Sequence, residues 1–340
     1  MREETNYSLL RHNTFGIDAR CDTFMEYQTA EEAQQAAQRL RSDGRPLLIL
    51  GGGSNLLLTG DFRGIVVHSA IKGWEQLPAE HDGEVLLRVG SGEVWDDVVA
   101  LCVSHGWHGA ENLSLIPGEV GATAVQNIGA YGAEAADIVS EVEAVRISDG
   151  KRCRIPAADC DYGYRQSRFK QAWKNQYLIT HVVYRLKTDF TPRLDYGNIR
   201  EELLRKGISM PTASQLRETI IDIRRRKLPD PAEQGNGGSF FMNPVVDRRL
   251  FEQLLAQYPQ MPHYHIDDDH EKIPAGWLIE QCGWKGRRMG KAGVHDRQAL
   301  VLVNCGGAEG HDIVRLSDAI RHDVLQRFQI EIHPEVNMIP

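Results

Sequence analysis

The stretch Gly109–Glu134, GAENLSLIPGEVGATAVQNIGAYGAE, decides how this chain is read. Its five glycines, with the small residues Ala122, Thr123 and Ala124 among them, let the backbone turn sharply and lie directly against something flat or anionic. Gln126, Asn127 and Tyr131 interrupt the small residues with directional hydrogen-bonding groups. That mixture is expected where main-chain amides wrap a cofactor and a few side chains fix its orientation. An ordinary surface loop carries more Ser, Pro and charge and less Val, Ile and Leu than this.

The rest of the chain fits such a core. Its 340 residues suggest two or three domains, and 41% hydrophobic with 25% charged residues is the composition of a globular protein. A formal net charge of −8 gives no general attraction to nucleic acid or anionic membrane, so an anionic substrate must be met by local cations. Cys21, Cys102, Cys153, Cys160, Cys282 and Cys305 form no CxxC pair, which fits buried free thiols in a reducing compartment. The N-terminal MREETNYSLLRHNTFG lacks the apolar core of a signal peptide, and no apolar run is long enough to span a bilayer. We expect a cytoplasmic monomer with no nucleic-acid or membrane partner and no metal.

Working outward, Thr29 opens a helical stretch to about Ser42, and Pro46–Leu50 reads as a buried strand. Gly51, Gly52, Gly53, Ser54 and Asn55 follow at once, a turn rich in backbone amides and suited to phosphate. It is neither a P-loop nor the dinucleotide fingerprint. Further strands are expected at Gly64–Ser69, Glu84–Val89 and Tyr177–Leu186, and a helix between Glu93 and Ser104 that ends at Gly106. Glu141–Ile147 and Arg152–Ile155 flank Asp149-Gly150 as a hairpin. Without regular βαβ alternation the layout is α+β. Beyond a boundary near Lys187–Leu194, helices are expected from Thr212 to Lys227, over Asp247–Gln257 and Pro274–Cys282, and along Ile313, Leu316, Ile320, Val324 and Phe328, with a strand at Ala299–Asn304.

Four further stretches could carry chemistry. Tyr162–Lys170, YGYRQSRFK, packs three cations and two phenols with no acid among them, either a solvated basic face or an anion site in which arginine grips a carboxylate with its planar fork. Arg224–Lys227 ends a helix before Pro229 and Pro231, and serves either the helix dipole or a phosphate. In Gly235–Pro244, GNGGSFFMNP, Ser239 stands after flexible glycines and before two aromatics, either a turn serine or an exposed nucleophile or proton donor. Glu335 in HPEV reads by itself as a surface acid, and His295 as a satisfied polar group.

Together with NTFG at Asn13–Gly16, LILGGGSNLLL, AGWLIEQCGWKG and HDRQALVLVN, these stretches resemble, in order and over nearly the whole chain, the UDP-N-acetylenolpyruvoylglucosamine reductases. One departure is Thr123-Ala124-Val125, where Ala-Pro-Ile is expected in many members. The resemblance implies a two-part FAD cradle of the vanillyl-alcohol oxidase (PCMH) type over 1–72 and 73–211, and an α+β substrate domain over 212–329. Residues 330–340 would return near the active site. It implies FAD and NADPH as cofactors and UDP-N-acetylglucosamine enolpyruvate as the small-molecule substrate.

By the same resemblance FAD is held by Gly51, Gly52, Gly53, Ser54, Asn55, Pro117, Gly118, Gly121, Ala122, Gln126, Asn127, Gly129, Ala130, Tyr131 and Gly132. Tyr196 belongs to a loop that closes over substrate in the longer of two family types, and Arg224, Lys227, Asn243, Lys285 and Gln298 bind substrate or nicotinamide nucleotide. Reducing an enolpyruvyl ether delivers hydride from flavin N5 to the terminal methylene and leaves negative charge on the adjacent carbon and its carboxylate. Arg165, assisted by Glu335, would stabilise that charge, and Ser239 would supply the proton. Two other readings are a flavin oxidase of the same cradle and a nucleotide-sugar binding protein that has lost catalysis. The first calls for a His or Cys in the flavin loops, which have neither; the second is at odds with the presence of Arg165, Ser239 and Glu335 together.

Overall fold

Buried strands and short helices alternate irregularly along the computed structural model, which describes residues 1–340 and has an α+β architecture. Two units can be distinguished. The first comprises Met1–Tyr7, Cys21–Gly52 and Arg63–Arg224; the second comprises Ser8–Arg20, Gly53–Phe62 and Arg225–Pro340. No helix is long and apolar enough to cross a membrane.

The first unit contains two sheets. One has the order Arg2–Ser8, Arg20–Tyr27, Phe62–Ser69, Leu47–Leu50, the last two strands running parallel with Leu50 opposite His68. The helix Ala30–Arg41 covers it, capped by the Thr29 side chain and burying Ala33, Ala36, Ala37 and Leu40 against Met25, Ile65 and Val67. Small alanines let helix and sheet approach closely. The other sheet is antiparallel with five strands, Arg152–Pro156, Val139–Arg146, Tyr177–Lys187, Glu84–Gly90 and Trp74–Leu77. Its central strand is buried along most of its length, and with Val98, Val99 and Trp95 of the helix Trp95–Ser104 it forms the main core.

The helix Ala213–Lys227, expected from Thr212 onward, begins with a capping box, Thr212 and Gln215 each bonding the other's amide. Leu216, Ile220 and Ile223 pack with Leu194, Ile199 and Leu203 into a third core, to which Tyr131 adds its ring. The second unit holds a four-stranded sheet in the order Asn236–Ser239, Val301–Asn304, Ala292–Val294, Arg288–Met289. The long helix Gly310–Phe328 buries the five apolar residues expected of it.

Three observations depart from the sequence reading. The polar run Arg2–Ser8 is an edge strand. Val120–Gln126, inside the glycine-rich stretch, is a helix that Asn127 ends in the left-handed region at φ 44°. All six cysteines are free, but only Cys21, Cys102 and Cys160 are buried; Cys153, Cys282 and Cys305 sit partly exposed, so composition overstated their burial.

Candidate active site

The corner between Leu50 and the helix Val120–Gln126 is built from glycines that pack too closely for a side chain to enter without a shift. A Cβ on Gly52 would lie 3.1 Å from the Gly118 Cα, and one on Gly121 would lie 3.1 Å from the Ser91 Cβ. In the second unit, a Cβ on Gly53 would lie 2.0 Å from the His12 carbonyl oxygen, and the Thr14 amide donates to the Gly53 carbonyl over 3.2 Å. Gly53 is thus fixed by the Asn13–Gly16 motif, whose Asn13 side chain braces its own loop through Leu9 and Ile17. Backbone exposed at such a turn, with glycine on both sides of the groove, suits a cofactor that carries a diphosphate.

Asn127 is fully buried, and its side chain is used by the protein itself. Its amide donates to Glu134 and the Gly163 carbonyl, each over 2.8 Å, while its oxygen accepts from the Ala136 amide over 2.9 Å. Asn127 therefore shapes the cradle and can offer a cofactor only its backbone. Gln126 is partly exposed and accepts from the Lys170 ammonium over 3.3 Å.

Arg165 sits in a tight turn, Gly163 paired with Gln166, and has φ 56°, a region that costs a branched or long residue energy. That conformation turns its guanidinium onto the carbonyls of Asn127 and Gly129, while the Tyr164 ring lies 5.2 Å from it. A Cβ on Gly129 would come within 2.8 Å of the guanidinium. The arginine that the sequence marks as a candidate is thus seated directly on the Asn127 and Gly129 carbonyls.

Arg224, half-buried, donates from Nε to the Leu115 carbonyl over 3.2 Å and reaches the Tyr131 phenol. Burial lowers its pKa, Tyr131 and Asp96 act against that, and the nearby charge of Arg165 adds to the lowering. Burial raises the Tyr131 pKa, opposed by Arg224. Tyr196 is exposed and lies against Gly132, whose Cβ would stand 3.2 Å from that of the tyrosine. Two guanidiniums and two phenols therefore converge in the first unit, an arrangement suited to an anionic ligand.

Sequence reasoning missed what holds Arg224. Asp96 takes Arg217 in a two-pronged ion pair, at 2.6 and 2.9 Å, and the same carboxylate accepts the Leu115 amide. Leu115 then carries Arg224 on its carbonyl and stands at φ 57°. Burial alone would raise the Asp96 pKa, but Arg217 and the Leu115 amide outweigh it and the group is held below its ordinary value. Asp96 and Arg217 lie 121 residues apart, so no local pattern could signal them.

In the second unit Ser239 ends its strand, exposed, after Gly238 at φ 71°. The Glu335 amide donates to the carbonyl of Phe240 over 2.8 Å, and Phe241 pairs with Pro334. Two residues on, the Asn337 amide donates to Asn55 over 3.1 Å. The C-terminal segment thus brings Ser239, Glu335 and the Asn55 turn together. Asn243 uses its side-chain oxygen on the Ala275 amide, Lys285 pairs with Glu280 at 2.9 Å, and Gln298 accepts the Leu300 amide. Lys227 is exposed at the end of its helix, and burial lowers the pKa of His295.

Residues 22–155 match the family model of an FAD binding domain, and residues 230–339 match the C-terminal domain of UDP-N-acetylenolpyruvoylglucosamine reductase. The reductase of that name from Bacteroides fragilis is 53% identical over 340 residues, 99% of this chain and 100% of the relative. The chain belongs to the UDP-N-acetylenolpyruvoylglucosamine reductase family. The Flavobacterium johnsoniae member is 43% identical over 100% of both chains. The crystal structure of the Thermus caldophilus enzyme shares the fold, with a TM-score of 0.66 at 22% identity, covering 100% of this chain and 98% of that one. The fold is accordingly an FAD cradle followed by the family's C-terminal domain, and the chain is an oxidoreductase that uses FAD and NADPH.

Proposed function

We propose a division of labour among named residues for the reaction this chain catalyses, the NADPH-dependent, FAD-mediated reduction of UDP-N-acetylglucosamine enolpyruvate to UDP-N-acetylmuramate in peptidoglycan precursor synthesis. The observation that carries the activity is end-to-end identity of 53% with a reductase of that name. When bound, FAD would supply the hydride chemistry that no side chain can perform, with NADPH as the source of electrons. The residues present fit that cofactor, since the backbones of Gly52 and Gly118 approach so closely that a Cβ on Gly52 would lie 3.1 Å from the Gly118 Cα.

Arg165 neutralises the charge that gathers on the substrate's carboxylate and adjacent carbon, and Glu335 assists it. Ser239 delivers the proton to that carbon. Its support is an exposed position at a strand end, next to Phe240, whose carbonyl accepts the Glu335 amide. Arg224, with Tyr196 above Gly132, holds the diphosphate and sugar; Lys227, Asn243, Lys285 and Gln298 complete substrate and nucleotide binding. Residues 1–72 and 73–211 form the cofactor cradle, 212–329 the substrate domain, and 330–340 return to the catalytic serine. The enzyme works as a cytoplasmic monomer, in keeping with its acidic surface and free thiols.

Flavin reduction by NADPH and flavin reoxidation by substrate, followed separately by stopped flow without oxygen, test these roles. Ser239→Ala is expected to leave the first half-reaction intact and to slow the second by about 10²–10⁴-fold. Equal damage to both would remove Ser239 from the proton step.

A further inference from the structure

His68 lies opposite Leu50, the residue before the glycine turn, and is 8% exposed. Its Nδ1 is 3.0 Å from a carboxylate oxygen of Glu26, and its Nε2 is 3.1 and 3.2 Å from the two oxygens of Glu119. A neutral imidazole can donate from one nitrogen only, so satisfying both carboxylates takes the doubly protonated ring. Glu26 comes from the neighbouring strand and also has Arg2 at 3.7 Å; Phe24 stacks beside the imidazole. Tyr27, also nearby, is neutral, its pKa raised by burial, and donates to the Ile179 carbonyl.

Glu119 is part of the cradle wall. A Cβ on Gly51 would lie 3.6 Å from its Oε2, and one on Gly52 would lie 3.6 Å from its Cγ. A carboxylate at this corner would repel a diphosphate unless its charge were cancelled locally. We propose that His68 is a positioning residue for the flavin: as an imidazolium bridging Glu119 to Glu26, it neutralises and fixes Glu119 so that the glycine corner accepts the anionic diphosphate of FAD. This rests on the reading of Gly51–Asn55 as the diphosphate turn.

Burial taken alone would lower the His68 pKa, but hydrogen bonds and charge from Glu119 and then Glu26 outweigh it and the net shift is upward. The imidazolium is therefore present below the ordinary histidine value and is lost as pH rises through the raised one. FAD affinity follows the same course and falls on the alkaline side.

The test titrates flavin-stripped protein with FAD, reading flavin fluorescence, from about pH 6 to about pH 9. Wild-type Kd is expected to rise about tenfold over that range. His68→Gln should raise Kd about tenfold at neutral pH and flatten the profile, and Glu119→Gln should bind tightly at every pH. The double variant His68→Gln/Glu119→Gln, which keeps amide hydrogen bonds without charge, should regain wild-type affinity. Wild-type affinity in His68→Gln, or a double variant no better than the single, would overturn the proposal. Wild-type protein that binds no FAD would overturn the cradle reading itself.

Discussion

At the scale of single residues the chemistry turns on Arg165 and the glycine beneath it. A left-handed φ of 56° and two carbonyl acceptors aim its guanidinium across the cofactor loop. Gly129→Ala would place a Cβ 2.8 Å from the guanidinium and 3.0 Å from the Ala133 carbonyl oxygen and the Glu134 Cγ, so the arginine should be displaced at some cost in stability, which a thermal melt reads separately. Substrate-driven flavin reoxidation is expected to slow by about 10²-fold with NADPH-driven reduction unchanged. An unaltered reoxidation rate, measured anaerobically, would show that the seat of Arg165 does not matter. Gly52→Ala acts differently, since its Cβ meets the Gly118 backbone at 3.1 Å; the protein should purify with less flavin, read from the ratio of flavin to protein absorbance.

At the scale of elements, the helices Trp95–Ser104 and Ala213–Lys227 are joined by Asp96 and Arg217, and the Leu115 peptide passes that constraint on to Arg224. Asp96→Asn should raise the substrate KM while leaving kcat for flavin reduction unchanged, and should cost about 2 kcal/mol of stability. Because the folded-state pKa of Asp96 is depressed, its contribution is fully present above the ordinary aspartate value near pH 4 and is lost as pH falls through the depressed one. Chemical unfolding of wild type and variant at neutral and acid pH should show the gap closing on the acid side; a constant gap would contradict the assignment. Elements of this kind were only partly legible. The strand Tyr177–Lys187, the hairpin at Asp149-Gly150 and the box at Thr212 and Gln215 announce themselves because their signals are local. Arg2–Ser8 does not, since an exposed edge strand has no buried face to imprint an alternation. The Asp96–Arg217 and His68–Glu119 pairs escape because tertiary structure alone brings their residues together. Asn127 reads as a ligand residue, yet its polarity serves the loop, and nothing in a sequence separates those two uses.

At the scale of the whole molecule, Gly51–Asn55 and Pro117–Gly132 both lie within residues 22–155, which match an FAD binding domain, while Ser239 and Glu335 lie in the second unit. A cofactor that binds the folded chain alone should stabilise it: FAD at about a thousand times its Kd is expected to contribute about 4 kcal/mol, seen as a higher Tm of the flavin-loaded protein over the stripped one. The central claim, that all this serves one reductase, is tested most directly by following NADPH oxidation by the purified flavoprotein without oxygen, with and without UDP-N-acetylglucosamine enolpyruvate. Sustained oxidation that starts only on adding that substrate and stops when it is consumed is the predicted result. A flavin that is reduced once and then stalls with substrate present would contradict the account.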